Sequence, residues 1–227
     1  GSGKSTLGRS ILRLLPIQSG KIIFSGVNLA ALLPKELREF RKKMQMIFQD
    51  PYASLNPRMT VYETLAEPLI FHRVTNEKNI KRRVTSLMDE VGLPKTSMHK
   101  YPHEFSGGQR QRIAVGRAIG IKPEFIIADE PVSALDVTIQ SQILDLIVGL
   151  VERYSITMLF ISHDLSVIRS VTDRVAVMKS GKILEKEKTE LLWKNPKNHY
   201  TQNLLRSIPI PDPRKERARL LSGTGQD

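Results

Sequence analysis

The chain has 227 residues, of which 40% are hydrophobic, and its 35 basic and 23 acidic side chains give a formal net charge of +12. A chain of this size and composition can bury the core of one large domain, or of a domain with a subdomain, so disorder is not the default. The sequence contains no cysteine, which excludes a disulfide framework and a cysteine-ligated zinc or iron–sulfur site. Its apolar runs fall short of the ~20 residues that span a bilayer.

The basic side chains are concentrated in three runs, at residues 35–43, 78–83 and 206–219. Such a surface attracts polyanions, and net charge alone does not distinguish lipid headgroups, nucleic acid and a bound nucleotide. Charged runs are equally often the solvated faces of helices. The charge therefore leaves the class of partner open.

Apolar, β-branched runs alternate along the chain with segments of helical periodicity, a pattern typical of an α/β domain whose mostly parallel sheet is flanked by helices. Between the predicted strands at 44–48 and 125–128, helical periodicity without a clear strand predicts an inserted helical subdomain at residues 58–122. Pro209, Pro211 and Pro213 and a charged end predict a flexible extension over residues 208–227, after a main domain at 1–207. Helices are predicted at residues 4–15, 60–72, 77–91, 108–120, 138–154 and 166–171, and strands at 22–24, 44–48, 125–128, 157–161, 175–178 and 182–185.

The first six residues match the second half of a phosphate-binding loop, whose full pattern is G-x-x-x-x-G-K-[ST]. A glycine-rich turn that enters a helix directs backbone N–H groups and the positive helix end at one point, which suits a phosphate chain. We expect Lys4 to contact the β- and γ-phosphates and the Ser5 hydroxyl to ligate Mg²⁺. Taken alone, the same residues could be a linker or a helix cap. They are Gly1, Ser2, Gly3, Lys4, Ser5 and Thr6.

An acidic pair, Asp129 and Glu130, follows the apolar run at residues 125–128. Adjacent residues of a strand face opposite sides, so the two carboxylates can take different roles. Asp129 can hold a metal ion, and Glu130 can orient or deprotonate an attacking water. A strand whose exit is capped by acids is the simpler alternative, but it does not explain the Pro-Val-Ser-Ala-Leu-Asp turn that follows.

A second anion site is predicted at residues 106–109, Ser-Gly-Gly-Gln, because small residues at a helix start leave its N–H groups accessible. Both anion sites could act on one nucleotide within the chain. Two copies facing head to tail would instead fill two composite sites symmetrically. Read in isolation, such a tetrapeptide is more often a turn.

Taken together and in this order, the motifs resemble those of the ATP-binding-cassette (ABC) ATPases, and the resemblance covers nearly the whole chain. Residues 1–6 match the remaining part of Walker A, residues 129–130 match Walker B, and residues 133–136 match the D-loop. Residues 106–109 match the signature loop, in which Phe105 replaces the commoner leucine. Gln49 and His163, which alone would be ordinary polar residues after apolar strands, match the Q-loop glutamine and the switch histidine.

The resemblance implies a P-loop NTPase core that binds ATP with Mg²⁺. It implies Glu130, His163 and Gln49 as catalytic residues and Ser5, Gln49 and Asp129 as metal ligands. The nucleotide is expected to contact Gly1, Ser2, Gly3, Lys4, Ser5 and Thr6, and also the signature and D-loop residues Ser106, Gly107, Gly108, Gln109 and Asp136. An intact Glu130 implies an active ATPase and argues against a non-catalytic regulatory module.

Three segments, at residues 49–58, 101–104 and 199–205, resemble the ATPase subunits of oligopeptide and dipeptide permeases. Residues 208–213 are most similar to the subunit that pairs with a second, non-identical ATPase. Nickel and glutathione importers share much of this pattern, and ordinary C-terminal helices are an alternative for residues 190–213. The partial Walker A and the missing tail suggest a chain cut at both ends, which is expected to fold marginally and to bind ATP poorly.

The resemblance implies a peripheral protein at the cytoplasmic face of the cell's inner membrane. The implied partners are a second ATPase subunit, two integral membrane permease subunits and, indirectly, an extracytoplasmic solute-binding protein. The solute itself is left open. The alternative is a non-transport ABC ATPase that acts on nucleic acid or ribosomes, which only the net charge favours.

Overall fold

The computed structural model describes residues 1–207 and contains, within that range, ten α-helices and seven strands. The helices are α1 Lys4–Ile11, α2 Pro34–Lys43, α3 Pro51–Ser54, α4 Val61–Phe71, α5 Glu77–Glu90, α6 Gly107–Ile119, α7 Val137–Arg153, α8 Leu165–Val171, α9 Thr189–Lys194 and α10 His199–Arg206. The strands are β1 Ile23–Phe24, β2 Val27–Asn28, β3 Met44–Ile47, β4 Phe125–Asp129, β5 Thr157–Ile161, β6 Arg174–Lys179 and β7 Lys182–Lys188. The extension predicted at residues 208–227 lies outside the described residues.

The chain divides into two compact units, one of residues 4–163 and one that joins residues 1–3 to the segment from residue 164 onward. The larger unit includes the segment at 58–122 that was predicted as a helical subdomain. Within residues 48–124 the structure has helices α3 to α6 and no strand. Among the described residues, no helix is both long and apolar enough to cross a membrane.

The larger unit is built on a parallel sheet of three strands in the order β3, β4, β5. Strand β4 lies in the middle and is buried, as its continuous apolar run predicts for a central parallel strand. Two adjacent residues of β4, Ile126 and Ile127, are both fully buried but belong to two different hydrophobic clusters. Because successive side chains of a strand point to opposite faces, the two clusters pack on the two sides of the sheet.

One cluster gathers the apolar faces of helices α4 to α7, including Leu65, Val84, Ile113 and Ile147. The other cluster joins the sheet to helix α1 through Leu12. Helix α1 lies close to the sheet at Gly8, where a Cβ would meet the side chains of Ile161 and Ile127 at 3.1 and 3.2 Å. This close approach fixes the direction in which the start of α1 points.

The smaller unit contains the antiparallel pair β6–β7, with a register shift between Val177 and Met178. Helix α10 is held to this hairpin by Glu185, whose two carboxylate oxygens accept hydrogen bonds from the backbone N–H groups of Lys197 and Asn198 at 2.8 and 3.1 Å. The Asn198 side chain caps the helix by accepting from Tyr200 N. The segment at 199–205, which resembles the peptide-permease branch, is therefore the body of a hairpin-anchored helix.

Every predicted helix and strand is present, with ends that differ by a few residues. The largest difference is in α1, which ends at Ile11 because Arg13 adopts a left-handed backbone with a φ of +53°. The structure adds helices that were not predicted, and the basic run at residues 35–43 lies in one of them, α2, where only Leu37 is buried. That run lies on a largely exposed helix face, which is compatible with either of its interpretations.

Candidate active site

The carboxylate of Asp129 lies at the carboxyl end of β4 and is completely buried. Its Oδ1 accepts a hydrogen bond of 2.8 Å from the Ser5 hydroxyl, in the first turn of α1. Its Oδ2 is buried and has no hydrogen-bond partner among the described residues. A hydroxyl beside a carboxylate with unused lone pairs is a donor set suited to Mg²⁺, which takes one or two protein oxygens and completes its shell with water and phosphate.

The backbone of the phosphate-loop match has the conformation that its glycines predict. Gly3 has a φ of +89°, a region that favours glycine. Within the smaller unit, the Ser2 carbonyl accepts a hydrogen bond of 3.0 Å from Gly181 N. Lys4 begins helix α1, so the basic side chain and the Ser5 hydroxyl both belong to the first helical turn.

Glu130 has a left-handed backbone, with a φ of +47°. The residue lies one position beyond β4, so the strand alternation assumed from the sequence does not extend to it. A left-handed conformation costs a non-glycine residue roughly 1–2 kcal/mol. This conformation is held by a hydrogen bond of 2.9 Å from Glu130 N to the Ile161 carbonyl. Strain of this kind accumulates at functional sites.

Gln49 and His163 contact the two oxygens of the Glu130 carboxylate. Gln49 Nε2 donates to Oε2 at 2.9 Å, and His163 Nδ1 lies 3.3 Å from Oε1. The Glu130 side chain is 15% exposed, whereas the His163 side chain is 67% exposed and accessible to a ligand. The three residues follow β3, β4 and β5 in turn, and the carboxyl ends of adjacent parallel strands are where ligands bind in α/β sheets.

The signature-loop match forms the start of helix α6. The Ser106 hydroxyl accepts from Gln109 N at 3.4 Å, and Gln109 Oε1 accepts from Ser106 N at 3.1 Å, which is a capping box. The backbone N–H groups of Gly107 and Gly108 have no acceptor within residues 1–207. A Cβ at Gly108 would lie 2.6 Å from Ile139 Cγ2, so glycine is required here for packing against α7.

The D-loop match joins Glu130 to helix α7. The Ser133 hydroxyl donates to the Glu130 carbonyl at 3.1 Å, and Gln140 Nε2 donates to the carbonyls of Val132 and Leu135 at 3.1 and 3.0 Å. Asp136 precedes α7 without capping it through its side chain. Gln140 was not identified from the sequence as a residue that holds this loop. The only sign of such a role in the sequence is that Gln140 is polar and lies in the first turn of the helix after the loop.

The structure thus brings together two groups of predicted site residues in the larger unit. Ser5 contacts Asp129, and Gln49 and His163 contact Glu130. The side chains of Ser106, Gln109 and Asp136 make no hydrogen bond to either group. The described residues contain no group of three or more acidic or histidine side chains able to hold a metal ion.

A groove of about 910 Å³ lies beside Gln49, between helix α2 and the end of helix α4. The guanidinium of Arg38 lies 4.3 Å from the ring centre of Phe71 at this groove. Burial lowers the pKa of His72, and the positive charges of Lys42 and Arg38 lower it further. Its lining is apolar with several basic side chains, and includes Leu37, Phe40, Phe48, Phe71, Arg9 and Arg41.

Family models match both ends of the chain. The model described as "ABC transporter" matches residues 1–133, and the model described as "Oligopeptide/dipeptide transporter, C-terminal region" matches residues 184–227. The second match includes helix α10 and its anchor Glu185.

The chain is similar to proteins named "Oligopeptide transport ATP-binding protein OppF". It is 51% identical to the Bacillus subtilis (strain 168) protein over 97% of this chain and 73% of that protein. It is 50% identical to the Streptococcus mutans protein over 97% of this chain and 72% of that protein. Among solved structures, it resembles a dimeric post-hydrolysis state of the ATP-binding cassette MJ0796 bound to ADP and Pi. The TM-score is 0.74 and the identity 30%, over 83% of this chain and 81% of that one.

Proposed function

The chain belongs to the ABC transporter family, and from that premise we propose that it is the ATP-hydrolysing subunit of a peptide importer. The observation that carries the proposal is the Glu130 carboxylate, held between Gln49 and His163, while the preceding residue, the buried Asp129, contacts Ser5. Such an arrangement can place a base beside a metal-bound phosphate. The peptide substrate is supported by the C-terminal family match and by the names of the relatives.

The phosphate chain of ATP is bound at the start of helix α1. The backbone N–H groups of residues 1–6 and the Lys4 ammonium contact its oxygens. Ser5, Asp129 and Gln49 would hold Mg²⁺, which would supply positive charge to neutralise the phosphate chain. The buried Oδ2 of Asp129, which lacks a hydrogen-bond partner in the described chain, supports this assignment.

Glu130 acts as the general base in hydrolysis. Its carboxylate accepts a proton from the water that attacks the γ-phosphate, while the Gln49 amide keeps one oxygen in place. His163 contacts the γ-phosphate through its exposed ring. Both oxygens of the base are in contact, one with Gln49 and the other with His163.

A second ATPase subunit completes the site. The N–H groups of Gly107 and Gly108 lack acceptors within residues 1–207, so they are available to the nucleotide of a partner subunit. Asp136, whose carboxylate does not cap α7, extends the same contact. The dimeric cassette that this chain resembles supports a pair of cassettes, and a head-to-tail pair would fill two composite sites symmetrically. The partner is a non-identical homologue, as in the branch to which residues 208–213 are most similar.

The groove beside Gln49 seats a helix from one of two integral membrane permease subunits. Its apolar lining and its volume of about 910 Å³ suit the apolar face of a helix. Because Gln49 borders both this groove and Glu130, the occupant and the ATP site can influence each other. The protein thus acts peripherally at the cytoplasmic face of the inner membrane, and an extracytoplasmic binding protein delivers the solute.

Nucleic acid is not expected as a partner. Both relatives named above are transport proteins. Among solutes, the names of the relatives favour peptides over nickel or glutathione.

The decisive experiment is ATP turnover of the complete protein, alone and assembled with its partner ATPase and permease subunits in lipid. We expect turnover to rise when a peptide-loaded binding protein is added. Turnover that ignores the membrane subunits but rises with RNA or DNA would refute the proposal. Stimulation by a binding protein loaded with nickel or glutathione, and not with peptide, would change the solute.

A further inference from the structure

The four-residue helix α3, Pro51–Ser54, begins two residues after Gln49 and is capped by Asp50. Asp50 Oδ1 accepts hydrogen bonds from Tyr52 N at 2.8 Å and from Ala53 N at 3.2 Å, and Pro51 occupies the first helical position. A side-chain cap and a proline at this position both favour the helix over other conformations. The backbone after Gln49 therefore enters a defined helical turn. Of the motif at residues 49–58, only Gln49 has a role in the site described above.

Two arginines of helix α6 hold the two ends of α3. Arg117 Nη1 donates a hydrogen bond of 2.6 Å to the carbonyl of Ser54, the last residue of α3. The guanidinium of Arg110 lies 5.2 Å from the ring centre of Tyr52, near the start of α3. Because they are seven positions apart, Arg110 and Arg117 lie two turns apart on one face of α6.

Arg117 is suited to fix a position because it is a buried charge. Burial lowers the pKa of its guanidinium, and the negative charge of Glu67 opposes this change. A guanidinium remains protonated in a protein, so it needs a hydrogen-bond acceptor when buried. The Ser54 carbonyl accepts its charge-assisted bond, a strong and directional contact.

Arg112 provides an internal comparison on the same helix. Its Nη1 donates to the Val91 carbonyl at 2.8 Å, so it makes the same kind of bond as Arg117. The bond of Arg112 ends just after helix α5, far along the chain from Gln49. Arg112 and Arg117 thus make the same kind of bond from α6, but the bond of Arg117 reaches the segment after Gln49 and that of Arg112 does not.

We infer that Arg117, assisted by Arg110, is a positioning residue that transmits movement of Gln49 to the signature loop. The contacts run from Glu130 to Gln49, through α3 to Arg117, and along α6 to Ser106 at its start. Helix α6 runs without interruption from Gly107 to Ile119, so Arg117 and the signature-loop residues 107–109 belong to one helix. The inference rests on the proposed function only in treating Gln49 and the signature loop as parts of the ATP site.

The test is a double-mutant cycle on ATP turnover in the complete transporter in lipid, without peptide. We expect Arg117→Met to lower kcat about tenfold and to change the KM for ATP less than about twofold, because no atom at the phosphate site is removed. In a Gln49→Ala background, the same substitution should change kcat less than about twofold, since the link is already broken. Arg117→Lys, which keeps a charged donor, should recover most of the turnover.

The matched control is Arg112→Met, whose effect on kcat should be equal in both backgrounds. The inference is wrong if Arg117→Met lowers kcat by the same factor with and without Gln49→Ala. It is also wrong if the effect of Arg112→Met on kcat disappears in the Gln49→Ala background. If Arg117→Met fails to assemble, the exposed Tyr52→Leu, which removes the ring that Arg110 contacts, decides by the same comparison of the two backgrounds. Turnover is measured without peptide, so the outcome of this test does not depend on which solute is transported. A finding that the transporter imports another solute would contradict the peptide assignment but not the role of Arg117.

Discussion

Gln49 and His163 lie on opposite oxygens of one carboxylate, that of Glu130, at 2.9 and 3.3 Å. Gln49 follows the strand on one side of β4, and His163 follows the strand on the other side. The base is therefore held by both neighbouring strands of the sheet. A change at either strand end would alter the position of the base before it altered the fold.

Glu130→Gln should retain ATP binding and lose turnover. The amide has the same shape and can still contact Gln49, but it cannot accept a proton, and a general base contributes about 10²–10⁴-fold to a rate. The measurements are the Kd for ATP and kcat of the complete protein with its partners. The control is Glu124→Gln at the other end of β4, where Glu124 pairs with Lys43 on the surface at 2.8 Å. Hydrolysis at the wild-type rate in Glu130→Gln would remove Glu130 as the base.

Ser5→Ala should raise the Mg²⁺ concentration needed for half-maximal turnover by at least about tenfold, because a hydroxyl ligand beside Asp129 is lost. The kcat at saturating Mg²⁺ should fall less. The readout is a Mg²⁺ titration of turnover at fixed ATP. Ser10→Ala, in the same helix α1, is the matched control. An unchanged Mg²⁺ requirement in Ser5→Ala would exclude the hydroxyl as a ligand.

The elements that could be predicted from the sequence are those whose apolar pattern is long or continuous. Strand β4 is one example, since a central parallel strand is buried on both faces and needs no polar alternation. Helices α2 and α3 could not be predicted by periodicity. Helix α2 buries only Leu37, and α3 is a single turn, whose signals are the cap Asp50 and the proline after it.

The site could be predicted only as a set of motifs. The Ser5–Asp129 bond joins residues 124 positions apart, and no spacing rule predicts such a contact without a known family pattern. The left-handed backbone of Glu130 could not be predicted from the sequence either, because glutamate has no intrinsic preference for that region. The sequence gives no signal that distinguishes Arg117 from other charged residues of a helix, because its acceptor is a backbone carbonyl 63 positions away.

Gly108→Ala should destabilise the protein and displace the signature loop. The new methyl would lie 2.6 Å from Ile139 Cγ2, and such overpacking costs roughly 1–3 kcal/mol. Urea unfolding measures the loss, and Ile139→Ala in the same chain should restore most of it by making room. Gly149→Ala in helix α7 is the control: nothing lies within 4 Å of its Cβ position, so it should stabilise the helix by roughly 0.5–1 kcal/mol. Equal effects of the two glycine substitutions would contradict the packing argument.

Glu90 should make the stability of the larger unit depend on pH. Burial of the carboxyl opposes its ionisation, but hydrogen bonds from Tyr154, Ser86 and Arg83 at 2.7, 2.9 and 2.7 Å outweigh burial and lower its pKa. A carboxylate with a lowered pKa contributes stability above its ordinary value of 4.5, and this contribution is lost as the pH falls through the lowered pKa. Glu90→Gln should therefore cost about 2 kcal/mol at neutral pH and much less in acid. Urea unfolding at both pH values measures this, with the α7 variant Glu152→Gln as control. A penalty of equal size at both pH values would show that the charge of Glu90 is not what stabilises this cluster.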